Sequence, residues 1–250
     1  MENEFTLKGK RALVTGGARR LGSAVCRALA ERGVHLVIHY HNSEGEARAL
    51  AAALAGTGVE THLVGGDLGR KEDYETLVAR AVEEAGPLDI LINNASIFPR
   101  GLIGAMNEDD LFSNITVNAF APLVISREFA GRCGEGAIVN LLDTRIVEYD
   151  RAHAAYHVSK RLFADFTRMT ALEFAPRVRV NAVAPGLILP PEDRGREYFF
   201  ARVKEVPLGR HGAPEDVSRA ICFLLESPFI TGQVIFIDGG QRLKGDMYGL

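Results

Sequence analysis

Short apolar runs alternate with longer amphipathic stretches along most of the chain. The apolar runs are rich in β-branched residues, which is typical of parallel strands buried on both faces. The amphipathic stretches between them have the spacing of helices that bury one face. The seven predicted strands are RALVTG, HLVIHY, VETHLVG, LDILINNA, GAIVNLL, VRVNAVAPG and QVIFIDGG. The predicted helices are Leu21–Arg32, Glu44–Ala55, Glu72–Ala85, Ile115–Arg132, Ala155–Phe174 and Pro214–Leu225.

This alternation predicts an α/β fold of the Rossmann type, with a doubly wound, seven-stranded parallel sheet. Ligands of such folds bind at the carboxyl ends of the strands. The 250 residues fit one domain spanning 1–250. One long connection, residues 186–212, follows a strand end, and we interpret it as a substrate lid because long loops in compact domains are often functional.

Composition and charge argue against several classes of function. Apolar residues make up 47% of the chain, and the net charge of −3 gives no reason to expect nucleic acid as a partner. The stretch MENEFTLKGK is too polar and acidic for a signal peptide, and no apolar run reaches the roughly 18 residues of a membrane span. We therefore expect no membrane partner and a cytoplasmic location.

The cysteines and histidines do not indicate a metal site. Cys26, Cys133 and Cys222 lie far apart without a CxxC pair, and we interpret them as buried free thiols. His39 and His41 share one side of a predicted strand, a spacing that permits metal binding, but no third ligand cluster lies nearby. We therefore expect no metal.

A glycine-rich turn after the first predicted strand is the first sign of a nucleotide site. Thr15, Gly16 and Gly22 follow this strand and open its helix. Glycine lets the backbone approach phosphate closely, and a helix N-terminus offers free N–H groups with a partial positive charge. The turn therefore predicts a dinucleotide phosphate site. Arg20 is unusual, since turns of this length usually carry glycine at its position.

The end of the second predicted strand indicates which dinucleotide binds. NAD-binding folds usually carry Asp or Glu there, and its carboxylate holds the ribose 2′-hydroxyl. This chain has His41, Asn42 and Ser43 instead, whose donors suit a 2′-phosphate, and Arg19 adds a cation on the same side. Ser43 is also a candidate N-cap for the next helix. We therefore expect NADPH rather than NADH as the cofactor.

Two further strand ends extend the predicted cofactor site. Asp67 and Leu68 follow the third predicted strand, where a carboxylate can bind the adenine amino group. The stretch NNAS, residues 93–96, ends the fourth predicted strand, where the cofactor would lie.

Tyr156 and Lys160 form the candidate catalytic pair. They are four residues apart and therefore lie on one face of a predicted helix. A phenol with a pKa of about 10 is a poor acid or base at neutral pH, but a neighbouring ammonium favours the phenolate and lowers that pKa. We therefore predict that Tyr156 is a proton donor tuned by Lys160, which can also hold the nicotinamide ribose.

Together these motifs resemble the short-chain dehydrogenase/reductase family over about Gly9–Gly240. The resemblance rests on the glycine turn, NNA, Asn118, Tyr156, Lys160, NAVAPG and DGG. It implies that Asn118 holds a water in a proton relay from Lys160. It also implies a homotetramer, built through the helices around Ile115–Arg132 and Ala155–Phe174. The expected cofactor contacts are Gly16, Arg19, Arg20, Leu21, His41, Asn42, Ser43, Asp67, Leu68, Asn94, Ala95, Tyr156, Lys160, Pro185, Gly186 and Leu187.

The chain departs from the general family pattern at two positions. Most members have a catalytic serine 13 residues before the tyrosine, where this chain has Asp143. Most members also have glycine where this chain has Arg20. Together with HYHNS and NNASIF, both departures resemble the pteridine reductase branch, which has an arginine in the glycine turn and an Asp–Tyr–Lys triad.

The resemblance to this branch also implies a substrate site. Phe98 would stack on a pterin ring, and Ser96 would bind the pterin or the cofactor. Arg20 would neutralise cofactor phosphate and direct a donor at the pterin. Leu187 and the lid around Tyr198 would close over the ring.

The chemistry of Asp143 separates two reactions. An ionised carboxylate only accepts hydrogen bonds and would repel a developing alkoxide, so it disfavours simple ketone reduction. A ring imine differs, because its product nitrogen needs a proton that an acid–phenol pair can deliver. We therefore expect reduction of a C=N bond in a dihydrobiopterin, dihydromonapterin or dihydrofolate type of substrate. The expected catalytic residues are Asp143, Tyr156, Lys160 and Asn118.

Two alternatives stay open. The nearest is a carbonyl reductase or 3-oxoacyl thioester reductase with an unusual site. The other is an NADP-sensing binding protein without turnover.

Overall fold

A seven-stranded sheet forms the centre of the computed structural model, which describes residues 6–191, 195 and 197–243. The strands are β1 Arg11–Val14, β2 His35–Tyr40, β3 Thr61–Gly65, β4 Ile90–Asn93, β5 Gly136–Leu141, β6 Val178–Pro185 and β7 Val234–Ile237. Their order in the sheet is β3-β2-β1-β4-β5-β6-β7, and every neighbouring pair is parallel. This is the doubly wound Rossmann sheet that the sequence predicts.

Helices cover both faces of the sheet. They are α1 Arg20–Ala30, α2 Glu44–Leu54, α3 Lys71–Ala85, α4 Glu108–Ile115, α5 Ala121–Arg132, α6 Ala154–Phe174, α7 Glu197–Arg202 and α8 Pro214–Glu226. In one core layer, α1, α2 and α8 pack against the strands, and in the other, α3, α5 and the end of α6 pack against them. The strands read as continuous apolar runs because both of their faces are covered in this way.

The helix predicted at Ile115–Arg132 has a different form in the structure. It begins upstream as α4, and a π turn at Thr116–Phe120 joins α4 to α5. The side chain of Asn107 caps α4 by accepting a hydrogen bond from the Asp110 amide at 2.8 Å. The first turn of α4 is exposed and acidic, so the apolar pattern gave no sign of it.

The predicted lid, residues 186–212, is described only in part, because 192–194 and 196 lie outside the described residues. Its described part contains α7 and a 3-10 turn at Val203–Glu205. Phe199 stacks on His211 with ring centres 4.0 Å apart, and the Arg202 guanidinium lies 4.1 Å from the Tyr198 ring centre. Tyr198 and Phe199 therefore pack locally, whereas Phe200 is exposed, and the function of the segment as a lid stays a prediction.

Three general properties of the described residues bear on function. Cys26, Cys133 and Cys222 are buried and free, as predicted. Among the described helices, none combines the length and the apolar character that crossing a membrane requires. Across the same residues, no group of three or more His, Cys, Asp or Glu side chains is arranged to hold a metal ion.

Candidate active site

A cavity of about 850 Å³ lies where the carboxyl ends of the strands meet the glycine turn and α6. We call the side formed by residues 16–22, 39–43 and 67–68 the turn end. The side formed by Phe98, Asp143, Tyr156 and Lys160 is the tyrosine end. The predicted site residues that line the cavity are Gly16, Arg19, Arg20, Leu21, His41, Asn42, Ser43, Asp67, Leu68, Asn94, Ala95, Ser96, Phe98, Asp143, Tyr156, Lys160, Pro185 and Gly186.

The glycine turn is packed so closely that a side chain has no room at Gly22 and little room at Gly16. A Cβ on Gly22 would lie 2.2 Å from the Gly16 carbonyl oxygen, and a Cβ on Gly16 would lie 3.0 Å from the Ala95 Cα. The Asn94 side chain fixes the turn by donating to the carbonyls of Thr15 and Gly16 at 2.8 and 2.9 Å. The turn is therefore a backbone-lined cradle at the start of α1, which suits a dinucleotide phosphate.

Arg20 departs from the usual backbone of an L residue. Its φ is +50°, and among the described residues it is the only non-glycine with a positive φ. This left-handed conformation costs an L residue about 1–2 kcal/mol, which explains why glycine is the usual choice here. The Arg20 side chain lines the cavity, and its Nη2 donates to the Pro190 carbonyl at 2.6 Å. It therefore spans from the glycine turn to the segment after β6.

His39 is a buried link between the glycine turn and the end of β3. Its Nδ1 accepts a hydrogen bond from the Gly16 amide at 3.1 Å, so its Nε2 carries the proton and donates to the Gly66 carbonyl at 3.0 Å. Burial lowers the pKa of His39 from 6.5 to about 4, so the ring is neutral at neutral pH. Sequence reasoning considered this residue only as a metal ligand, although a histidine inside a buried apolar strand indicates a neutral, hydrogen-bonded ring.

The residues predicted to hold a 2′-phosphate lie together at the turn end. His41 Nε2 is 3.7 Å from Asp67 Oδ2, and Arg19 Nη1 is 3.9 Å from Glu46 Oε1. Ser43 precedes α2, but its hydroxyl makes no capping hydrogen bond. The N-cap alternative for Ser43 therefore receives no support from the geometry.

Asn118 lies in the π turn behind the cavity wall and is fully buried. It donates to the Ile97 carbonyl at 3.0 Å and to the Ser159 hydroxyl at 3.1 Å. It accepts hydrogen bonds from the Ser96 hydroxyl at 3.0 Å and the Ile97 amide at 2.8 Å. Asn118 thus connects the segment after β4 to α6, and its role in holding a water stays a prediction.

Leu187 also lies behind the cavity wall. Its side chain is buried, and its carbonyl accepts a hydrogen bond from the Gly212 amide at 2.9 Å. The neighbouring Ile188 and Leu189 line the cavity. A contact between Leu187 and a bound molecule therefore stays a prediction.

Tyr156, Lys160 and Asp143 come together at the tyrosine end. The Tyr156 hydroxyl donates to Asp143 Oδ2 at 3.0 Å. Lys160 Nζ lies 5.7 Å from the Tyr156 ring centre and donates to the Leu141 carbonyl at 2.8 Å. Because α6 begins two residues before Tyr156, its first turns present both side chains beside the end of β5.

The pKa of Tyr156 differs from the sequence-based expectation. Burial and the Asp143 carboxylate raise it well above the ordinary value of 10.0, whereas we expected Lys160 to lower it. The Lys160 ammonium bonds a backbone carbonyl rather than the phenol, and burial lowers its own pKa to about 8 against the opposing effect of Asp143. Tyr156 is therefore held as a protonated phenol.

A charged network that sequence reasoning missed lies behind Asp143. Arg145 Nη1 is 3.4 Å from Asp143 Oδ2, and the Arg145 amide donates to Asp143 Oδ1 at 2.9 Å. Arg145 Nε donates to Asp150 Oδ2 at 2.8 Å, and Asp150 Oδ1 lies 2.9 Å from His153 Nδ1. These residues belong to the loop between β5 and α6, where the spacing of residues in the sequence does not predict which side chains come into contact.

Phe98 forms part of the cavity wall against this network. His153 stacks on its ring with centres 3.9 Å apart and planes 14° apart, and Tyr156 meets it edge-on at 4.5 Å. The Arg145 guanidinium lies 4.9 Å from the Phe98 ring centre. Phe98 nevertheless stays 37% exposed, so the ring still presents surface to the cavity.

The parallel sheet, the glycine turn and the Tyr156–Lys160 pair define an oxidoreductase. The chain belongs to the short-chain dehydrogenase/reductase family, and residues 16–242 match the family described as Enoyl-(Acyl carrier protein) reductase. It is 35% identical to carbonyl reductase family member 4 of Danio rerio, over 93% of this chain and 98% of that protein. It is 34% identical to a 3-oxoacyl-[acyl-carrier-protein] reductase of Bos taurus, over 94% and 98% of the two chains.

A solved structure is similar over almost the whole fold. FolM alternative dihydrofolate reductase 1 from Brucella canis, crystallised with NADP, has a TM-score of 0.91 and 33% sequence identity to this chain. The similarity covers 96% of this chain and 97% of that chain.

Proposed function

We propose that this protein is an NADPH-dependent pteridine reductase that reduces a C=N bond of a dihydropterin. Dihydrobiopterin, dihydromonapterin and dihydrofolate are the candidate substrates. The observation that carries the proposal is the 3.0 Å hydrogen bond from Tyr156 to Asp143, the residue at the position where most family members have serine. The similar structure described as an alternative dihydrofolate reductase supports the same activity.

The turn end fits the cofactor. The backbone cradle of residues 16–22 would hold the phosphates of NADPH, because no side chain intrudes at Gly16 or Gly22. His41, Asn42 and Ser43 supply hydrogen-bond donors for the 2′-phosphate, and Arg19 supplies a cation in the same cavity. Bound NADPH supplies the hydride for the reaction.

The tyrosine end supplies the proton. Reduction of C=N adds a hydride to carbon and a proton to nitrogen, and the protonated Tyr156 hydroxyl holds that proton inside the cavity. Asp143 accepts the hydrogen bond and holds the hydroxyl in place before the reaction. For delivery, the O–H would turn from Asp143 to the substrate nitrogen, where the N–H bond forms as the O–H bond breaks and leaves a phenolate. The ionised Asp143 carboxylate also has capacity for the N–H donors of a 2-amino-4-oxo pterin. Lys160 remains close enough to favour the phenolate once the proton has left.

The walls of the tyrosine end fit a flat aromatic ring. Phe98 offers a stacking surface, and such contacts contribute about 0.5–1.5 kcal/mol beyond area burial. The Ser96 hydroxyl and the Arg20 guanidinium, both in the cavity wall, supply polar contacts for the ring or for the cofactor. Leu187 and the segment around Tyr198 are the proposed cover of the ring.

A carbonyl or 3-oxoacyl thioester reductase is the second candidate. The relatives named as carbonyl reductase and 3-oxoacyl-[acyl-carrier-protein] reductase favour it. The position of Asp143 opposes it, because a carboxylate 3.0 Å from the Tyr156 hydroxyl would repel a developing alkoxide.

The test compares three substrates by following NADPH oxidation: dihydrobiopterin, dihydrofolate and an acetoacetyl thioester. We expect turnover of a pterin and none of the thioester. Asp143→Ser is the matched variant, and it should lower pterin turnover and raise thioester turnover. Turnover of the thioester alone would contradict the proposal, and NADPH binding without any turnover would favour a sensing protein.

The assembly and the location belong to the same proposal. We propose a homotetramer formed through α5 and α6, in a cytoplasmic enzyme. A light-scattering mass that corresponds to a monomer at the working concentration would contradict the tetramer.

A further inference from the structure

We propose that Arg145 is a positioning residue for proton delivery, which keeps the Asp143 carboxylate turned towards Tyr156 while it supports the Phe98 ring. The inference rests on the proposed function for the identity of the substrate. The contacts themselves concern Tyr156 and Asp143 whichever substrate is reduced.

The first observation is the geometry around the Asp143 carboxylate. Oδ2 accepts from the Tyr156 hydroxyl at 3.0 Å and lies 3.4 Å from Arg145 Nη1. Oδ1 accepts from the Arg145 amide at 2.9 Å. Arg145 therefore contacts both carboxylate oxygens and leaves Oδ2 facing the phenol. Rotation of the carboxylate away from Tyr156 would break these contacts.

The second observation is the balance of charge around Asp143. From α6, Tyr156 and Lys160 face it, but the Lys160 ammonium bonds the Leu141 carbonyl. The loop before α6 contributes the Glu148 carboxyl group. Burial first, and Asp143 as well, raise the pKa of this carboxyl group. Asp150 and His153 pair with each other further back. Among the described residues, Arg145 is the cation in direct contact with Asp143.

The third observation is that Arg145 is itself held in place. Its Nε donates to Asp150 Oδ2 at 2.8 Å, and its carbonyl accepts from Arg161 Nη2 at 3.2 Å. The His157 ring also lies at that carbonyl, with Nδ1 3.2 Å away. These bonds fix the loop to α6 and remove the rotational freedom that an arginine usually has. The guanidinium is therefore a fixed charge rather than a mobile one.

The fourth observation joins the substrate wall to the proton donor. The same guanidinium lies 4.9 Å from the Phe98 ring centre, and its partner Asp150 holds His153, which stacks on that ring. Loss of Arg145 should therefore disturb both substrate binding and proton delivery. The cradle of residues 16–22 makes no contact with Arg145 in the described structure, so NADPH binding should be spared.

The experiment measures kcat, KM for dihydrobiopterin and the NADPH dissociation constant for Arg145→Leu and Arg145→Lys. We expect Arg145→Leu to lower kcat more than about tenfold. The substrate KM should rise, and the NADPH dissociation constant should stay unchanged. Arg145→Lys should restore part of kcat but not all of it, because lysine keeps the charge and lacks the planar fork.

Arg219→Leu is the control for loss of one positive charge, since Arg219 lies exposed on α8 beside Asp216. It should leave all three quantities unchanged. If Arg145→Lys restores none of the kcat lost in Arg145→Leu, or if Arg145→Leu weakens NADPH binding as much as substrate binding, Arg145 only supports the fold and the proposal is wrong. Arg145→Gln serves the same comparison if Arg145→Leu does not fold.

The outcome separates this inference from the proposed function. A wild-type enzyme that reduces the thioester but no pterin ends the pteridine proposal, and the same Arg145 comparison is then made with the thioester. If neither substrate turns over, a double-mutant cycle replaces the kinetic comparison. Thermal denaturation then measures the stability of the wild type, Arg145→Leu, Asp143→Asn and the double variant. Strict additivity in that cycle would overturn the coupling between Arg145 and Asp143.

Discussion

The two ends of the cavity are built from different parts of the chain. At the turn end, backbone atoms define the geometry, because Gly22 has no room for a side chain, Gly16 has little, and His39 and Asn94 bond main-chain groups. At the tyrosine end, ionised side chains such as Asp143 define it. The turn end should therefore be sensitive to one added methyl group. The tyrosine end should tolerate small changes of shape and respond to charge.

The largest expected effect separates the two ends by chemistry. Tyr156→Phe removes the hydroxyl bonded to Asp143 and should lower kcat by about 10²–10⁴. NADPH affinity should change far less, because the phosphate cradle lies at the other end. Steady-state kinetics and NADPH titration of the same preparation measure both. Equal losses in kcat and NADPH affinity would show that the two ends are not separable.

The substitution Gly22→Ala tests how closely the turn end is packed. Gly22→Ala places a Cβ 2.2 Å from the Gly16 carbonyl oxygen, a backbone atom that cannot move aside alone, and should destabilise the fold by about 3 kcal/mol. Gly45→Ala is the control, because a Cβ there meets nothing within 4 Å in α2. It should stabilise the protein by about 0.5–1 kcal/mol through helix propensity. Urea denaturation measures the free energy of unfolding of both variants. Equal values for Gly22→Ala and Gly45→Ala would contradict the packing argument.

The pH dependence of stability tests whether the His39 link is neutral. The unfolded chain binds a proton at about pH 6.5 but the folded chain only at about 4, so stability falls as pH drops through this window. The total loss from this residue is about 3 kcal/mol. His39→Asn cannot titrate, so it should be less stable than the wild type at pH 7 and approach it as the pH falls. A constant difference in urea stability between the two proteins would mean that His39 is not the titrating group.

The smallest expected effect concerns the backbone at Arg20. Arg20→Gly and Arg20→Ala both remove the contact with the Pro190 carbonyl, but only glycine suits the φ of +50°. The glycine variant should therefore be more stable than the alanine variant by about 1 kcal/mol. Both should bind NADPH more weakly than the wild type if the guanidinium neutralises cofactor phosphate. Equal melting temperatures of the two variants would argue against backbone strain.

The sequence predicted the sheet well, because its strands are buried on both faces and read as uninterrupted apolar runs. The predicted HLVIHY coincides with β2, and GAIVNLL exceeds β5 by one residue. The beginning of α4 was missed since its first turn is acidic and exposed, and α7 was missed since it is a single short helix in a mixed segment. Polar surface helices carry little periodic signal.

The candidate site was predictable where spacing alone fixes geometry. Tyr156 and Lys160 share a helix face because they are four residues apart. Asp143 was predicted instead from the family resemblance, since most members have a catalytic serine 13 residues before the tyrosine. The contacts of Arg145 depend on how the loop before α6 turns, which no spacing rule states. The pKa of Tyr156 was predicted in the wrong direction, because burial and the direction of the Lys160 ammonium are properties of the folded chain.

The π turn at Thr116–Phe120 holds one residue more than a regular helical turn. Because the wide turn takes up that residue, α5 keeps the rotation of an uninterrupted helix, and Ile125 and Phe129 lie in the core. Deletion of one residue there should therefore restore a regular helix with Ile125 and Phe129 still in the core. The expected change is local: it would move Asn118 relative to Ile97 and Ser159, whose contacts depend on the inserted residue.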